Sequence, residues 1–161
     1  MNSQRKYRFT GPVRRADRKK FNPIFAGVPD ASGQYMDQDD PGVKCYHLMR
    51  VGHPRPVGFL WLVLKFYRQR KEIRVHVSYI FALPSERSGR LANGVFNKFR
   101  NWVCTPPLAQ DSGITVTHSS SAISSGGHRF VWRLDQLLRE WCAAHGAELR
   151  GDRDEEEDDN R

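Results

Sequence analysis

Two arginines stand close together where the sequence predicts that a β-strand gives way to a helix. The segment runs from Pro84 to Ala92, and within it Arg87 and Arg90 flank Gly89. The first backbone N–H groups of a helix have no partner inside the helix, and the helix dipole favours an anion there. Such a helix start is suited to hold a phosphate or a pyrophosphate. The alternative is an ordinary helix start that binds only water or a capping side chain.

The elements on both sides of this turn follow from hydrophobic patterning. From Ile73 to Leu83 the chain is rich in β-branched and aromatic residues, which predicts a largely buried strand that ends at Pro84. Beyond the turn, apolar residues at helical spacing predict a helix; they are Leu91, Val95, Phe99, Trp102 and Val103. The turn therefore joins a buried strand to an amphipathic helix.

The remaining segments predict a mixed sheet. Strands at Lys44–Val51 and Val57–Tyr67 precede the buried strand and form an antiparallel meander with it. A further strand is expected at Gly113–His118, and a helix at Gly127–Ala144 with an N-cap at Ser124 or Ser125. The sequence thus predicts an α/β domain with a mixed, mostly antiparallel sheet and flanking helices.

The two ends of the chain differ from this body. Residues 1–20 form a basic arm, in which a short strand at Lys6–Thr10 is compatible with the pattern. Residues 21–43 contain many Pro, Gly and Asp residues and predict an irregular loop. We expect a single domain over 21–148 and an acidic, disordered tail over 149–161.

The turn resembles the acyl-CoA-binding motif of the GNAT acyltransferase superfamily, in which a strand leads through a proline into Gln/Arg-x-x-Gly-x-Gly/Ala and then a helix. Arg87 matches the leading arginine and Ala92 matches the final small residue. Arg90 departs from the motif, since it stands where the family has its middle glycine, although Gly89 comes one residue earlier. The resemblance covers roughly Val57 to Trp141.

The resemblance implies a GNAT-like fold and binding of acetyl-CoA or another acyl-CoA. The strand backbone would hold the pantetheine arm and the turn would hold the pyrophosphate. The cofactor-binding residues implied are Ile80, Phe81, Ala82, Leu83, Arg87, Ser88, Gly89, Arg90, Leu91 and Ala92. The segment before the motif strand is too short and Pro-rich for the family's two N-terminal helices. The chain also lacks room for its last two strands, so a shortened version is expected.

The catalytic candidates are Tyr79 and His118. Tyr79 occupies a position where some family members carry a glutamate base. His118 ends the predicted fifth strand, and, like His76, it is by residue type a better base than a tyrosine. No tyrosine lies in 119–146, where the family often supplies an acid, and the absence of a Gly-x-Ser-x-Gly elbow gives Ser-His-Asp catalysis no support.

The resemblance therefore favours acetyl transfer to an unidentified amine. The alternative is a non-catalytic GNAT-like binding protein that uses its basic surface on nucleic acid or a protein partner.

Charge supports that alternative. The chain carries +8 overall while its last eleven residues carry −5, so residues 1–150 carry +13 and would attract polyanions. The candidate contacts are Arg5, Lys6, Arg8, Arg14, Arg15, Arg18, Lys19 and Lys20.

The composition of the chain also bears on membrane insertion, cellular location and metal binding. The longest apolar stretch, Val57–Leu64, is far shorter than the ~20 residues of a membrane span. The polar N-terminus and three widely spaced cysteines favour a reduced, cytoplasmic location. Cys45 and His47 would share a strand face, but no further ligands lie nearby, so no metal site is expected.

Overall fold

A computed structural model describes residues 6–37, 42–86, 90–103, 113–120 and 127–151. Six strands and four helices lie in these ranges. They are β1 (Tyr7–Thr10), α1 (Arg15–Phe25), α2 (Pro29–Asp37), β2 (Lys44–Arg50), β3 (Pro56–Tyr67), β4 (Glu72–Ala82), α3 (Leu91–Val103), β5 (Thr115–Ser120), α4 (Gly127–His145) and β6 (Glu148–Arg150). A 3₁₀ turn, Pro84–Glu86, separates β4 from α3.

The six strands form one sheet in the order β1-β2-β3-β4-β5-β6. β1 pairs with β2, and β2 with β3, in antiparallel fashion, whereas β4–β5 and β5–β6 are parallel pairs. The expectation of an α/β fold with a mixed sheet is confirmed. The chain divides into two compact units, residues 1–62 with 78–88 and residues 63–77 with 89–161.

The first unit contains two helices where the sequence predicted the end of a basic arm and an irregular loop. Phe25 ends α1, and Ala31 and Tyr35 lie in α2; all three are fully buried. The Phe25 ring packs against the rings of Tyr35 and Phe59, with centroids 4.9 and 5.1 Å apart. This burial outweighs the local turn preferences, and Pro29 suits the first position of α2, where no N–H is needed. The expectation that the family's two N-terminal helices would not fit is therefore wrong.

A glycine brings two strand backbones together in the first unit. A Cβ on Gly58 of β3 would lie 2.2 Å from the carbonyl oxygen of Phe81 in β4, so no other residue fits there. The backbone N–H of Leu83 then donates to the carbonyl of Val57 at 2.9 Å. The end of β4 is thus held against β3 by backbone contacts.

The second unit is built around α3 and α4. The Phe99 ring of α3 meets the Trp141 ring of α4 edge to face, with centroids 5.0 Å apart. α4 agrees with the predicted helix within one residue and is followed by Gly146 at φ +68, a left-handed conformation that favours glycine. β6 follows and pairs with β5, although the sequence predicted no strand there.

No helix among the described residues is long and apolar enough to span a membrane. Cys45 and Cys142 are buried free thiols, and Cys104 lies outside the described residues.

Candidate functional site

The turn after β4 is anchored by a buried carboxylate. Glu86 ends the 3₁₀ turn, and its Oε2 accepts a hydrogen bond from the Tyr7 hydroxyl of β1. Its Oε1 accepts a hydrogen bond from Arg50 Nη1 of β2 at 2.7 Å. A buried charge is tolerated when it is paired and hydrogen-bonded, so these two partners explain why Glu86 can be buried. The network fixes the start of the turn to two strands of the same unit.

The strand segment expected to contact pantetheine is largely buried. Ile80, Phe81 and Ala82 are each less than a tenth exposed. Leu83 uses its backbone N–H for Val57, and its carbonyl accepts a hydrogen bond from the Glu86 N–H at 2.8 Å. Any backbone hydrogen bond that Leu83 makes with a ligand would therefore use the second lone pair of its carbonyl oxygen.

The helix after the turn begins at an exposed arginine. The carbonyl of Arg90 accepts a hydrogen bond from the Gly94 N–H at 3.3 Å, which puts Arg90 immediately before the first residue of α3. Ala92 is 1% exposed, so the small residue of the motif is packed into the core, while Leu91 is half-buried. Arg87, Ser88 and Gly89 lie outside the described residues.

Asn93 adds a polar group to the first turn of α3. Its Oδ1 is buried and has no hydrogen-bond partner among the described residues. The two ends of an amide are distinguished only by the bonds they make, so either Oδ1 or the amino group can face a ligand. Sequence reasoning did not single out this residue.

The two catalytic candidates have different surroundings. The Tyr79 ring stacks on Phe59, with centroids 5.5 Å apart and planes 17° apart, and so belongs to the aromatic cluster of the first unit. His118 belongs to the second unit and is only 1% exposed.

His118 lies between a carboxylate and a hydroxyl. Its Nδ1 is 3.2 Å from Asp135 Oδ1 on α4, and its Nε2 is 3.2 Å from the Oγ of Ser120, two residues further along β5. The other oxygen of Asp135 accepts a hydrogen bond from Arg139 Nε at 3.0 Å, one helical turn later. Sequence reasoning missed Asp135 and Ser120; the i,i+4 spacing of Asp135 and Arg139 was the only local signal.

The Asp135 carboxylate is held in its charged form. Burial by itself would raise the pKa of Asp135, but hydrogen bonds from His118 and Arg139, with their charges, lower it below its usual value. A Cβ on Gly151 would lie 2.4 Å from Asp135 Oδ1, so any other residue at this position would have to displace the carboxylate.

His76 is also within hydrogen-bond distance of a serine hydroxyl. Its Nδ1 lies 2.7 Å from the Oγ of Ser119, the residue between His118 and Ser120. Since neighbouring strand residues point to opposite faces, the Ser119 and Ser120 hydroxyls serve different histidines.

One of the basic residues expected to contact polyanions does not reach the surface. Arg18 is 6% exposed; its Nη1 donates to the Tyr35 carbonyl at 3.0 Å and its guanidinium lies over the Trp61 ring. The expectation was wrong for Arg18 because its guanidinium stacks on an indole and caps a carbonyl of α2 instead. Arg5 lies outside the described residues, and the others are exposed: Lys6, Arg8, Arg14, Arg15, Lys19 and Lys20.

Among the described residues there is no group of three His, Cys, Asp or Glu side chains arranged to hold a metal ion. His47, beside Cys45 on β2, instead has its Nε2 2.6 Å from the Tyr35 hydroxyl.

No protein-family model matches the sequence, and no curated protein matches it significantly. Among solved structures, the chain is similar to a ribosomal-protein-alanine N-acetyltransferase from Brucella melitensis biovar Abortus 2308. The TM-score is 0.53 at 11% identity, over 81% of this chain and 90% of that one. Arabidopsis thaliana NAA60, in complex with a bisubstrate analogue, gives a TM-score of 0.48 at 10% identity, over 80% and 83% of the two chains. The chain therefore has a GNAT-like acetyltransferase fold, at low sequence identity to the solved structures.

Proposed function

We propose that this protein is an acyltransferase that transfers an acetyl group from acetyl-CoA to an amine. The observation that carries the proposal is the start of α3, where an exposed arginine directly precedes the helix after the β4 turn. The GNAT fold supplies the context, since the motif of that family is a strand, a turn and a helix in this order.

The start of α3 suits the pyrophosphate of a CoA. A cation before the first turn of a helix is unfavourable with respect to the helix dipole, and a bound anion would reverse that effect. The guanidinium of Arg90 and the first N–H groups of α3 would contact phosphate oxygens. Asn93 would contact a phosphate oxygen only with its amino group in the position that the unpartnered Oδ1 now has, because an amide oxygen can only accept. Arg87, Ser88, Gly89, Leu91 and Ala92 complete the proposed pyrophosphate site.

The pantetheine arm would lie along the β4 segment Ile80–Leu83, in which Ile80, Phe81 and Ala82 are buried and Leu83 is half-buried. Acetyl-CoA supplies the thioester, and the chain must orient it and free the attacking amine of its proton. Tyr79 is the proposed group on β4 near the reacting carbonyl. His118 is buried, so it would act on an acceptor only through the Ser120 hydroxyl.

The second candidate function is polyanion binding without catalysis. Two observations favour it: the ring of Tyr79 is engaged with Phe59, and His118 is inaccessible. The exposed basic residues near the N-terminus, from Lys6 to Lys20, would supply the contacts.

Calorimetric titration with acetyl-CoA separates the two functions. We expect binding by the unmodified protein and a loss of about 1–3 kcal/mol in Arg90→Ala, the scale of a charged hydrogen bond. Arg100→Ala is the matched control, because Arg100 is exposed in the last turn of the same helix and should not affect binding.

Three results would change the assignment. Tighter binding in Arg90→Ala would mean that this side chain obstructs the site. Equal losses in both variants would mean that the helix start has no special role. No binding at about 1 mM acetyl-CoA, weaker than about −4 kcal/mol, would favour the non-catalytic function.

A further inference from the structure

Ser120, His118 and Asp135 form a continuous hydrogen-bonded chain in the second unit. The distances are 3.2 Å from Ser120 Oγ to His118 Nε2 and 3.2 Å from His118 Nδ1 to Asp135 Oδ1. A hydroxyl, an imidazole and a carboxylate in this order form the constellation that activates a serine nucleophile, and it is recognised by geometry and not by position in the sequence.

The polarity of the chain follows from the carboxylate. Asp135 has a lowered pKa and is ionised at neutral pH, so both of its oxygens can only accept hydrogen bonds. Nδ1 of His118 must then carry the proton that faces Asp135. In the neutral imidazole this leaves a lone pair on Nε2, and the Ser120 hydroxyl donates to it. Both hydrogen bonds are therefore oriented so that His118 Nε2 can accept the proton of the Ser120 hydroxyl.

The residues of this hydrogen-bonded series differ in solvent exposure, and a nucleophile has to be accessible to its substrate. His118 is almost fully buried, whereas Ser120 is half-buried and lies at the carboxyl end of β5. β5 is parallel to β4 and to β6, and in open α/β sheets ligands bind beyond the carboxyl ends of the strands. The hydroxyl is thus the one member of the three that a substrate can reach.

We propose that Ser120 is a nucleophile activated by His118 and oriented by Asp135, and that it accepts acyl groups from activated esters and thioesters. Its Oγ attacks the carbonyl carbon, and its proton passes to His118 Nε2. The C–O or C–S bond to the leaving group then breaks, and the departing alcohol or thiol takes that proton. The product is an acyl ester of Ser120, which water hydrolyses to a carboxylic acid, restoring the hydroxyl.

The neighbouring residue provides an internal control. Ser119 is also half-buried and lies 2.7 Å from a histidine nitrogen, His76 Nδ1. A serine–histidine contact is therefore present at both positions, and the relay through His118 to Asp135 distinguishes Ser120. Reactivity at Ser120 above that at Ser119 would come from the relay and not from exposure.

The test is to treat the full-length protein with a fluorophosphonate that phosphonylates activated serines, and to locate the adduct by peptide mass spectrometry. The same chain is then given p-nitrophenyl acetate, and the release of nitrophenol is followed. Neither probe contains CoA, so the result is independent of the acetyl-CoA titration. The variants are Ser120→Ala, Ser119→Ala, His118→Gln and Asp135→Asn, each compared by thermal melting.

We expect the adduct on Ser120, its loss in Ser120→Ala and its retention in Ser119→Ala. Replacing the base or its carboxylate should slow labelling about 100-fold, the scale of lost general-base catalysis. If His118→Gln does not fold, Asp135→Asn carries this arm, since it changes the tautomer that the histidine adopts. The proposal would be overturned by the absence of an adduct or by an adduct mainly on another serine. It would also be overturned if labelling of Ser120 were unchanged in His118→Gln or, where that variant is unfolded, in Asp135→Asn.

Discussion

Each of the two units contains a buried histidine, and the two histidines have opposite kinds of partner. In the first unit, His47 Nε2 lies 2.6 Å from the hydroxyl of Tyr35, and both residues are buried. In the second unit, His118 Nδ1 lies 3.2 Å from the carboxylate of Asp135. One histidine is paired with a neutral hydroxyl and the other with a charge.

The partner decides what each histidine can do. Burial lowers the pKa of His47 to about 4, with nearby Asp17 acting weakly in the other direction. Burial also raises the pKa of Tyr35. The pair therefore stays neutral at physiological pH and contributes packing and one hydrogen bond. At His118, the ionised carboxylate orients the ring, and the second nitrogen faces a half-buried serine.

The largest expected difference between the two is a pH dependence of stability that belongs to His47. Its pKa is about 6.5 when unfolded and about 4 when folded. Below pH ~6.5 the unfolded chain binds a proton that the folded chain refuses, so stability falls as the pH drops from about 6.5 to about 4. The pKa difference corresponds to at most about 3 kcal/mol.

Urea unfolding at pH 7 and pH 4 measures this effect. His47→Gln keeps a group that can accept the Tyr35 hydrogen bond but does not titrate, so it should lose less stability than the unmodified protein between these pH values. The absolute stability of the variant is immaterial, because the comparison is of the change in unfolding free energy between pH 7 and pH 4. An equal change in the two proteins would show that His47 is not kept neutral by burial.

The next effect tests the charge beside His118. Asp135→Asn preserves shape but removes the negative charge that His118 and Arg139 share, and should lower the free energy of unfolding by about 2 kcal/mol at pH 7. Arg139→Met is the control: the Arg139 side chain is 46% exposed, so its loss should cost below ~1 kcal/mol. Equal losses would place the important interaction on the helix surface and not at the buried histidine.

Periodicity predicted most of the sheet and the last helix. β3, β4 and α4 follow from runs of apolar residues long enough to decide between strand and helix. The two helices of the first unit could not be predicted in this way, because Pro23, Pro29 and Gly33 resemble turn residues until the burial of Phe25 and Tyr35 is known. β6 has three residues, too few for a pattern.

Only those parts of the candidate site whose residues are neighbours in the sequence could be predicted. The arginine before α3 and the buried strand that leads to it are adjacent in sequence. Glu86 depends on Tyr7 and Arg50, which lie 79 and 36 residues away, and His118 depends on Asp135, which lies 17 residues away. Such partners are chosen by the packing of strands and helices, and a single sequence does not reveal them.

The smallest expected effect concerns the neutral pair. Tyr35→Phe removes the hydroxyl that is hydrogen-bonded to His47 Nε2 and keeps the ring, which packs against the rings of Phe25 and Phe59 with centroids 4.9 Å away in each case. The cost is one neutral hydrogen bond and a buried ring nitrogen left without its partner, about 1 kcal/mol.

The stability loss of Tyr35→Phe is to be compared with that of Asp135→Asn, because a charged hydrogen bond is about twice as strong as a neutral one. We expect the ratio of the two losses, measured in the same urea series at pH 7, to be about two for this reason. A Tyr35→Phe loss as large as that of Asp135→Asn would contradict the contrast between the two histidines. It would mean that the hydroxyl pair contributes at least as much to stability as the carboxylate pair does.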